Sequence, residues 1–216
     1  TARILALYPM RALAREQERK WSDALRHAAG SVKVGRIDGS VRGRGERDAI
    51  LDESNVIVMT PDVMHAWLLP NVGNKSARKF LSMTRLVVVD EVHSYTGVFG
   101  SNAAYLFRRL RHACTLVGQD PAFIAASATI KNPAGHMRDL VGKEFRIVGP
   151  ELDTSPQYAR RLQLLKPVGT GEQLTAAAAL LTALGTRDRS RFLAFVDSRK
   201  QAEHLSAIAA RGGDAA

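Results

Sequence analysis

The chain has 216 residues, 45% of them hydrophobic, enough for one substantial core and part of a second. Its single cysteine, Cys114, excludes a disulfide framework and a cysteine-rich zinc site, and no apolar run approaches the roughly 20 residues of a membrane-spanning helix. A formal net charge of +10 favours a polyanionic partner, nucleic acid above all, and the opening TARILALYPM lacks the order of a secretory signal, which makes the cytoplasm the default location.

Short runs rich in Val, Ile and Leu recur along the chain: ILALYP (4–9), SVKVGRI (31–37), NVIVMT (55–60), LVVVD (86–90), AFIAAS (122–127) and RFLAFVD (191–197). Amphipathic stretches such as RALAREQERKWSDALRHA (11–28) and SNAAYLFRRLRHACTLV (101–117) lie between them. Strands alternating with helices predict an α/β fold with a mainly parallel sheet covered on both faces. Trp21 and Trp67 read as packing residues, and Arg108, Arg109 and Arg111 as a solvated or partner-facing stripe on a half-buried helix. From Gly149 the chain turns to GPELDTSP and KPVGTG around a strand-like RRLQLL, the composition of a connector. The helical EQLTAAAALLTAL (172–184), the strand RFLAFVD and the helix SRKQAEHLSAIAARG then open a second α/β unit. The expected division is a first domain over 1–148, a connector over 149–170 and the beginning of a second domain over 171–216.

In open parallel sheets ligands sit beyond the carboxyl ends of the strands. The polar signals gather there: Tyr8-Pro9-Met10-Arg11 after the first run, Thr60-Pro61-Asp62 after the third, Asp90-Glu91-Val92-His93 after the fourth and Ser127-Ala128-Thr129 after the fifth. Asp197-Ser198-Arg199 follows the run of the second unit. A lone Asp-Glu pair is often only a strand surfacing into solvent; an ordered series of strand-end signals argues for a site. Small hydroxyls such as Ser127 and Thr129 also suit the cap of a helix near Asn132-Pro133.

DEVH (90–93) with SAT (127–129) is similar to motifs II and III of the DEAD/DEAH-box superfamily 2 helicases. YPMRALAREQ (8–17) resembles their motif Ia, TPD (60–62) their motif Ib and FVDSRKQAE (195–203) their motif IV. The longer stretches TPDVMHAWLLP, DEVHSYTGVFGSNAAYLFRRLRHAC and ASATIKNP resemble the MrfA-like branch, and the resemblance covers nearly the whole chain.

The resemblance implies a RecA-like domain followed by the start of another, and an ATP-dependent helicase or translocase with ATP and Mg²⁺ as cofactors. Magnesium takes hard oxygen ligands and keeps several waters, so one strand-end carboxylate suffices; Asp90 fits that role. Glu91, next along, suits the general base that polarises the attacking water. His93 is implied to link this box to Ser127 and Thr129, which couple nucleotide state to domain closure. Nucleic-acid contacts are implied at Pro9, Arg11, Thr60, Asp62, Ser198 and Arg199. The loop DGSVRGRGER (38–47) adds Arg42, Arg44 and Arg47, where glycines let amides and guanidinium groups approach phosphates. DNA rather than RNA follows from the MrfA-like resemblance alone. Other subunits of a repair or defence complex are further candidate partners.

The family's phosphate loop, GxxxxGK followed by Ser or Thr, is not in this sequence. The expectation is that it lies upstream of Thr1 and motifs V and VI beyond Ala216, so that binding of ATP and Mg²⁺ depends on residues outside this chain and the chain alone is inactive. Two other readings stay open: a degenerate helicase module that holds nucleic acid or a protein partner without turnover, and a metal-dependent hydrolase using Asp90, Glu91 and His93.

Overall fold

The computed structural model describes residues 2–28, 30–156, 158–164, 166, 173–187 and 193–213. Five of the six apolar runs become strands: β1 (Arg3–Leu7), β2 (Val34–Arg36), β3 (Val56–Met59), β4 (Thr84–Val89) and β5 (Ala122–Ala125). They form one parallel sheet in the order β2-β3-β1-β4-β5, so β1 sits in the middle with β3 and β4 at its sides. The connecting helices are α1 (Arg11–Ala28), α2 (Arg44–Glu53), α3 (Pro61–Val63), α4 (Lys75–Met83), α5 (Gly97–Leu116) and α6 (Pro133–Val141). A π turn over Met64–Leu68 and a 3-10 turn over Leu69–Asn71 prolong α3.

Period-two alternation sorts the strand side chains between two cores. Leu5, Leu7, Ile57, Met59, Val87 and Val89 point to one face and are buried with Phe80 and Leu81 of α4 and Phe107 and Leu110 of α5. Ala6, Tyr8 and Val58 point to the other, under Ala14 and the half-buried Leu13 and Trp21 of α1. Trp67 is buried in the larger core, and Trp21 donates its indole N–H to the Tyr8 hydroxyl at 2.9 Å, so both tryptophans pack as expected. Cys114 is buried in the same core, and burial pushes its thiol up to about 11, which leaves it an inert packing residue.

One buried cation was not legible in the pattern. Arg3, at the start of β1, is only 5% exposed. Its guanidinium donates to the carbonyls of Leu51 and Asp52 in the last turn of α2 and lies 5.6 Å from the Phe80 ring centroid. Helix-terminal carbonyls have no intrahelical partner, and Arg3 satisfies two of them while pinning α2 to the sheet.

The chain divides into two compact units, Thr1–Asp153 and Thr154–Ala216. The second contains α7 (Gln173–Arg187) and α8 (Arg199–Gly213), packed on each other with Ala178 and Leu205 buried. The strand expected over RFLAFVD is not formed: residues 193–198 have no regular structure, and residues 191 and 192 lie outside those described. The strand-like RRLQLL is likewise irregular over residues 161–164. A single strand is stable only when a neighbour accepts its ladder of hydrogen bonds, and no strand occurs among the described residues of this unit. No helix among the described residues is long and apolar enough to cross a membrane.

Arg3→Leu should strip two buried carbonyls of their donor. The expected cost is roughly 1–3 kcal/mol, read as a fall of about 2–4 °C in Tm for each kcal/mol. A variant that melts with the parent would show that the α2 end is held by something else.

Candidate functional site

β4 ends at Val89, and the Asp90 amide makes one more sheet bond, to the Leu7 carbonyl of β1 at 3.0 Å. Asp90 therefore stands at the carboxyl edge in the middle of the sheet, half-buried, as the strand pattern requires. Its Oδ1 accepts the Glu91 amide at 2.8 Å. Its Oδ2 has no hydrogen-bond partner among the described residues.

Glu91 has φ 53° and ψ 43°, the one left-handed non-glycine backbone among the described residues. That conformation costs roughly 1–3 kcal/mol and survives only where surrounding bonds impose it. Here they do: the Glu91 carbonyl accepts from the Ser94 amide at 2.9 Å and the Ser94 hydroxyl at 2.7 Å, while the Val92 amide donates to the Ala126 carbonyl at 3.0 Å.

His93 meets the 127–129 loop at Ser127 and Ala128. Its Nδ1 accepts the Ala128 amide at 3.2 Å and lies 3.5 Å from Ser127 Oγ and 3.3 Å from Glu91 Oε2. A backbone amide can only donate, so Nδ1 is the acceptor in the Ala128 contact. Thr129 is exposed and makes no contact with His93. Neither hydroxyl of SAT caps α6: Asn132 does so itself, accepting from the Gly135 amide at 3.1 Å.

The expected phosphate-binding residues are placed unevenly. Arg11 is exposed at the start of α1, with its guanidinium laid over Gly39, so the start of α1 and the Arg-Gly loop lie side by side. Pro9 is half-buried beside it and Arg42 is exposed. Arg44 opens α2, and its side chain lies outside the described residues. Arg47 is committed inward, donating to the Val41 carbonyl at 2.7 Å and lying 5.2 Å from the Trp67 centroid. Thr60 is 3% exposed and its hydroxyl accepts from the Val63 amide at 3.4 Å; it caps α3 rather than lining an open face. Asp62 beside it is exposed. Ser198 and Arg199 are exposed in the second unit, where Ser198 caps α8 through the Gln201 amide at 3.2 Å.

Three residues escaped the sequence reading of the site. The Tyr95 ring is 2% exposed, with its hydroxyl buried and without a hydrogen bond. Burial pushes that phenol well above its usual range, and the Asp90 and Asp62 carboxylates push the same way. Gly100 leaves room for the Tyr95 carbonyl, into which any Cβ would press. His136 on α6 donates from Nε2 to the Val92 carbonyl at 2.8 Å and so holds the DEVH loop from below. Nothing local marks it, because its partner is 44 positions away. Of the α5 arginines, Arg108 and Arg109 are exposed and Arg111 is half-buried, and two of them also make long-range bonds. Arg108 donates to the Asp139 carbonyl at 3.1 Å, and Arg111 to those of Val141 and Gly142 at 3.1 and 2.8 Å, closing the carboxyl end of α6.

An all-parallel sheet with a carboxylate pair at the carboxyl end of its central region places the first unit among RecA-like α/β domains. The sequence profile of the DEAD/DEAH box helicases matches residues 1–136, and the chain belongs to that family. It is 34% identical over 148 residues to the uncharacterized ATP-dependent helicase YprA of Bacillus subtilis, covering 68% of this chain and 19% of that protein. It is 36% identical over 169 residues to the ATP-dependent helicase HRQ1 of Saccharomyces cerevisiae, covering 76% of this chain and 15% of that one. Among solved structures, the DUF1998 helicase MrfA superposes with a TM-score of 0.84 at 26% identity, over 97% of this chain and 31% of MrfA. MrfA bound to DNA and AMPPNP superposes with a TM-score of 0.82 at 25% identity, over 98% and 29%. The chain thus spans less than a third of these proteins.

His136→Phe keeps the ring and removes the donor to Val92. It should cost about 1–3 kcal/mol in a thermal melt and lower ATP turnover in the intact protein, because the freed carbonyl lets the DEVH loop shift. Unchanged turnover with lowered Tm would confine His136 to a structural role.

Proposed function

We propose that the protein is an ATP-driven helicase or translocase on nucleic acid, with Asp90 and Glu91 as its catalytic carboxylates. The observation that carries this reading is the strained, over-determined turn at Glu91 on the carboxyl edge of the central strands, in a chain of the DEAD/DEAH box family. A buried strand that ends on two held carboxylates gives positioning catalysis the rigidity it needs.

Asp90 suits Mg²⁺: one hard oxygen, half-buried and uncommitted, is what an ion that keeps most of its waters takes from a protein. Magnesium bound there would neutralise charge between the outer phosphates of ATP. No group of three or more His, Cys, Asp and Glu side chains among the described residues is placed to hold a metal ion, so the metal-hydrolase reading lacks a ligand set. Glu91, half-exposed and 3.3 Å from His93 Nδ1, suits a base that accepts a proton from an attacking water. His93 bridges this pair to Ser127 and Ala128, a route by which nucleotide state reaches the SAT loop.

For the polyanion, the exposed Arg11 over Gly39, with the exposed Arg42 in the same Arg-Gly loop and Pro9 beside Arg11, offers cations after β1. Phosphate contacts of this kind are sequence-tolerant and salt-sensitive. DNA is the favoured substrate because MrfA has been solved with DNA. The division proposed for the chain is a first RecA-like domain to about residue 148 and a second that begins near 171, bearing Ser198 and Arg199.

Glu91→Gln in the intact protein should keep fold and ATP binding and lower turnover by roughly 10²–10⁴-fold, the worth of a positioned base. Asp90→Asn should also weaken magnesium-dependent nucleotide binding. Full ATPase activity in Glu91→Gln would remove the pair from the chemistry, and nucleic-acid binding without turnover in the parent would favour a degenerate module. Arg11→Ala should lower affinity about equally for strands of different sequence and reduce the salt slope by roughly one unit. An unchanged slope would mean that Arg11 touches no phosphate.

A further inference from the structure

The proposed strand track accounts for Arg11 and the Arg-Gly loop but leaves a cleft of about 490 Å³ unused on the same rim of the sheet. It opens where β3 runs into α3. Asp62 and His65 form one wall; Phe99, Asn102, Tyr105 and Arg109 of α5 form the other. Phe99 is 43% exposed and Tyr105 71% exposed, two large aromatic side chains held in solvent in a chain with only 6% aromatic residues. The core beneath them is closed by Phe107 and Leu110 of α5, and both Phe99 and Tyr105 keep much of their surface in solvent.

Phe99 is also fixed in place. Its ring stacks on Tyr95 at 5.1 Å between centroids and 18° between planes. Tyr95 packs edge-on against the fully buried Phe107 at 6.0 Å. An exposed face on a rigid stack is a platform already in position, and what binds it need not order it. The polar groups around it are mixed. Asn102 offers both a donor and an acceptor, Asp62 an acceptor, and Arg109 a cation steadied by its 2.9 Å bond to His65 Nδ1. Flat apolar faces, an amide and carboxylate for an edge, and a cation at the mouth match a base with its phosphate better than an aliphatic side chain. The net charge of +10 favours the polyanion over an ordinary protein segment.

We propose that this cleft is a subsite for one unstacked base of a single strand, with Phe99 and Tyr105 as its stacking faces. The proposal rests on the nucleic-acid reading above and adds a contact to the base, where Arg11 and Arg42 supply contacts to phosphate. Phe99 rests on Tyr95, whose phenol feels the charges of Asp90 and Asp62, so the cleft adjoins the loop that follows β4.

The test compares two strands in the intact protein: twelve deoxythymidylates and an all-abasic strand of equal length, which keeps the phosphates and removes every base. Phe99→Ala and Tyr105→Ala should each weaken binding of the thymidylate strand by roughly tenfold and of the abasic strand by less than about twofold, with the salt slope unchanged. Phe99→Trp should restore the thymidylate affinity. Arg11→Ala should weaken both strands and lower the slope, which checks the track independently of the cleft. Equal losses on both strands, or no loss on either, would overturn the base subsite; no loss on either is also the result if the cleft takes a protein segment. If Phe99→Ala melts early, the surface variant Tyr105→Ala decides alone. A parent that binds neither strand would instead sink the nucleic-acid reading itself.

Discussion

The pairing of β4 with β1 is the constraint on which the site depends. It runs in parallel register from Arg3 opposite Thr84 to Leu7 opposite Val89, and the Asp90 amide extends it by one bond. Parallel strands all end at the same edge, so the loops after β1, β3, β4 and β5 meet on one rim although about 120 residues separate Tyr8 from Thr129. A slip of one residue would turn Val87 and Val89 out of the core and carry Asp90 inward. The apolar run before the acids therefore both builds the core and aims the carboxylates.

Strain is concentrated where the chemistry is proposed. Glu91 occupies a left-handed backbone that glycine would adopt without penalty, yet a glycine there would supply no carboxylate. The surrounding bonds come from three directions: Ser94 within the turn, Ala126 from the end of β5 and His136 from α6. The 90–93 segment is thus held by the segment that follows β5 and by α6, a short physical link between them. His93 completes it with the Ala128 amide.

Charge is divided between internal and external work. The sequence carries 31 Lys and Arg residues, and their number alone suggests a broad phosphate-binding face. Arg3, Arg108 and Arg111 instead serve the carbonyls at helix ends, and Arg47 closes its own loop. Arg11, laid over Gly39, stays exposed.

By itself the sequence determined the class of sheet, the positions of β1 to β5 and the strand ends at which Asp90, Glu91, His93 and Ser127 stand. Those follow from local period and from polar residues placed after apolar runs, and both are visible in one dimension. Tertiary structure decided the rest. RFLAFVD has the composition of a strand, but its described residues 193–197 are irregular, because a strand requires a neighbour to accept its hydrogen bonds. Thr60 looks like a surface hydroxyl in TPD but turns inward to cap its helix. Arg108 and Arg111 look solvated at helical spacing, yet the carboxyl end of α6 is brought within their reach. His136, Gly100 and the Tyr95–Phe99 stack gain their roles only from neighbours supplied by the fold. Packing and long-range hydrogen bonds depend on which distant segments meet, and no local pattern encodes that.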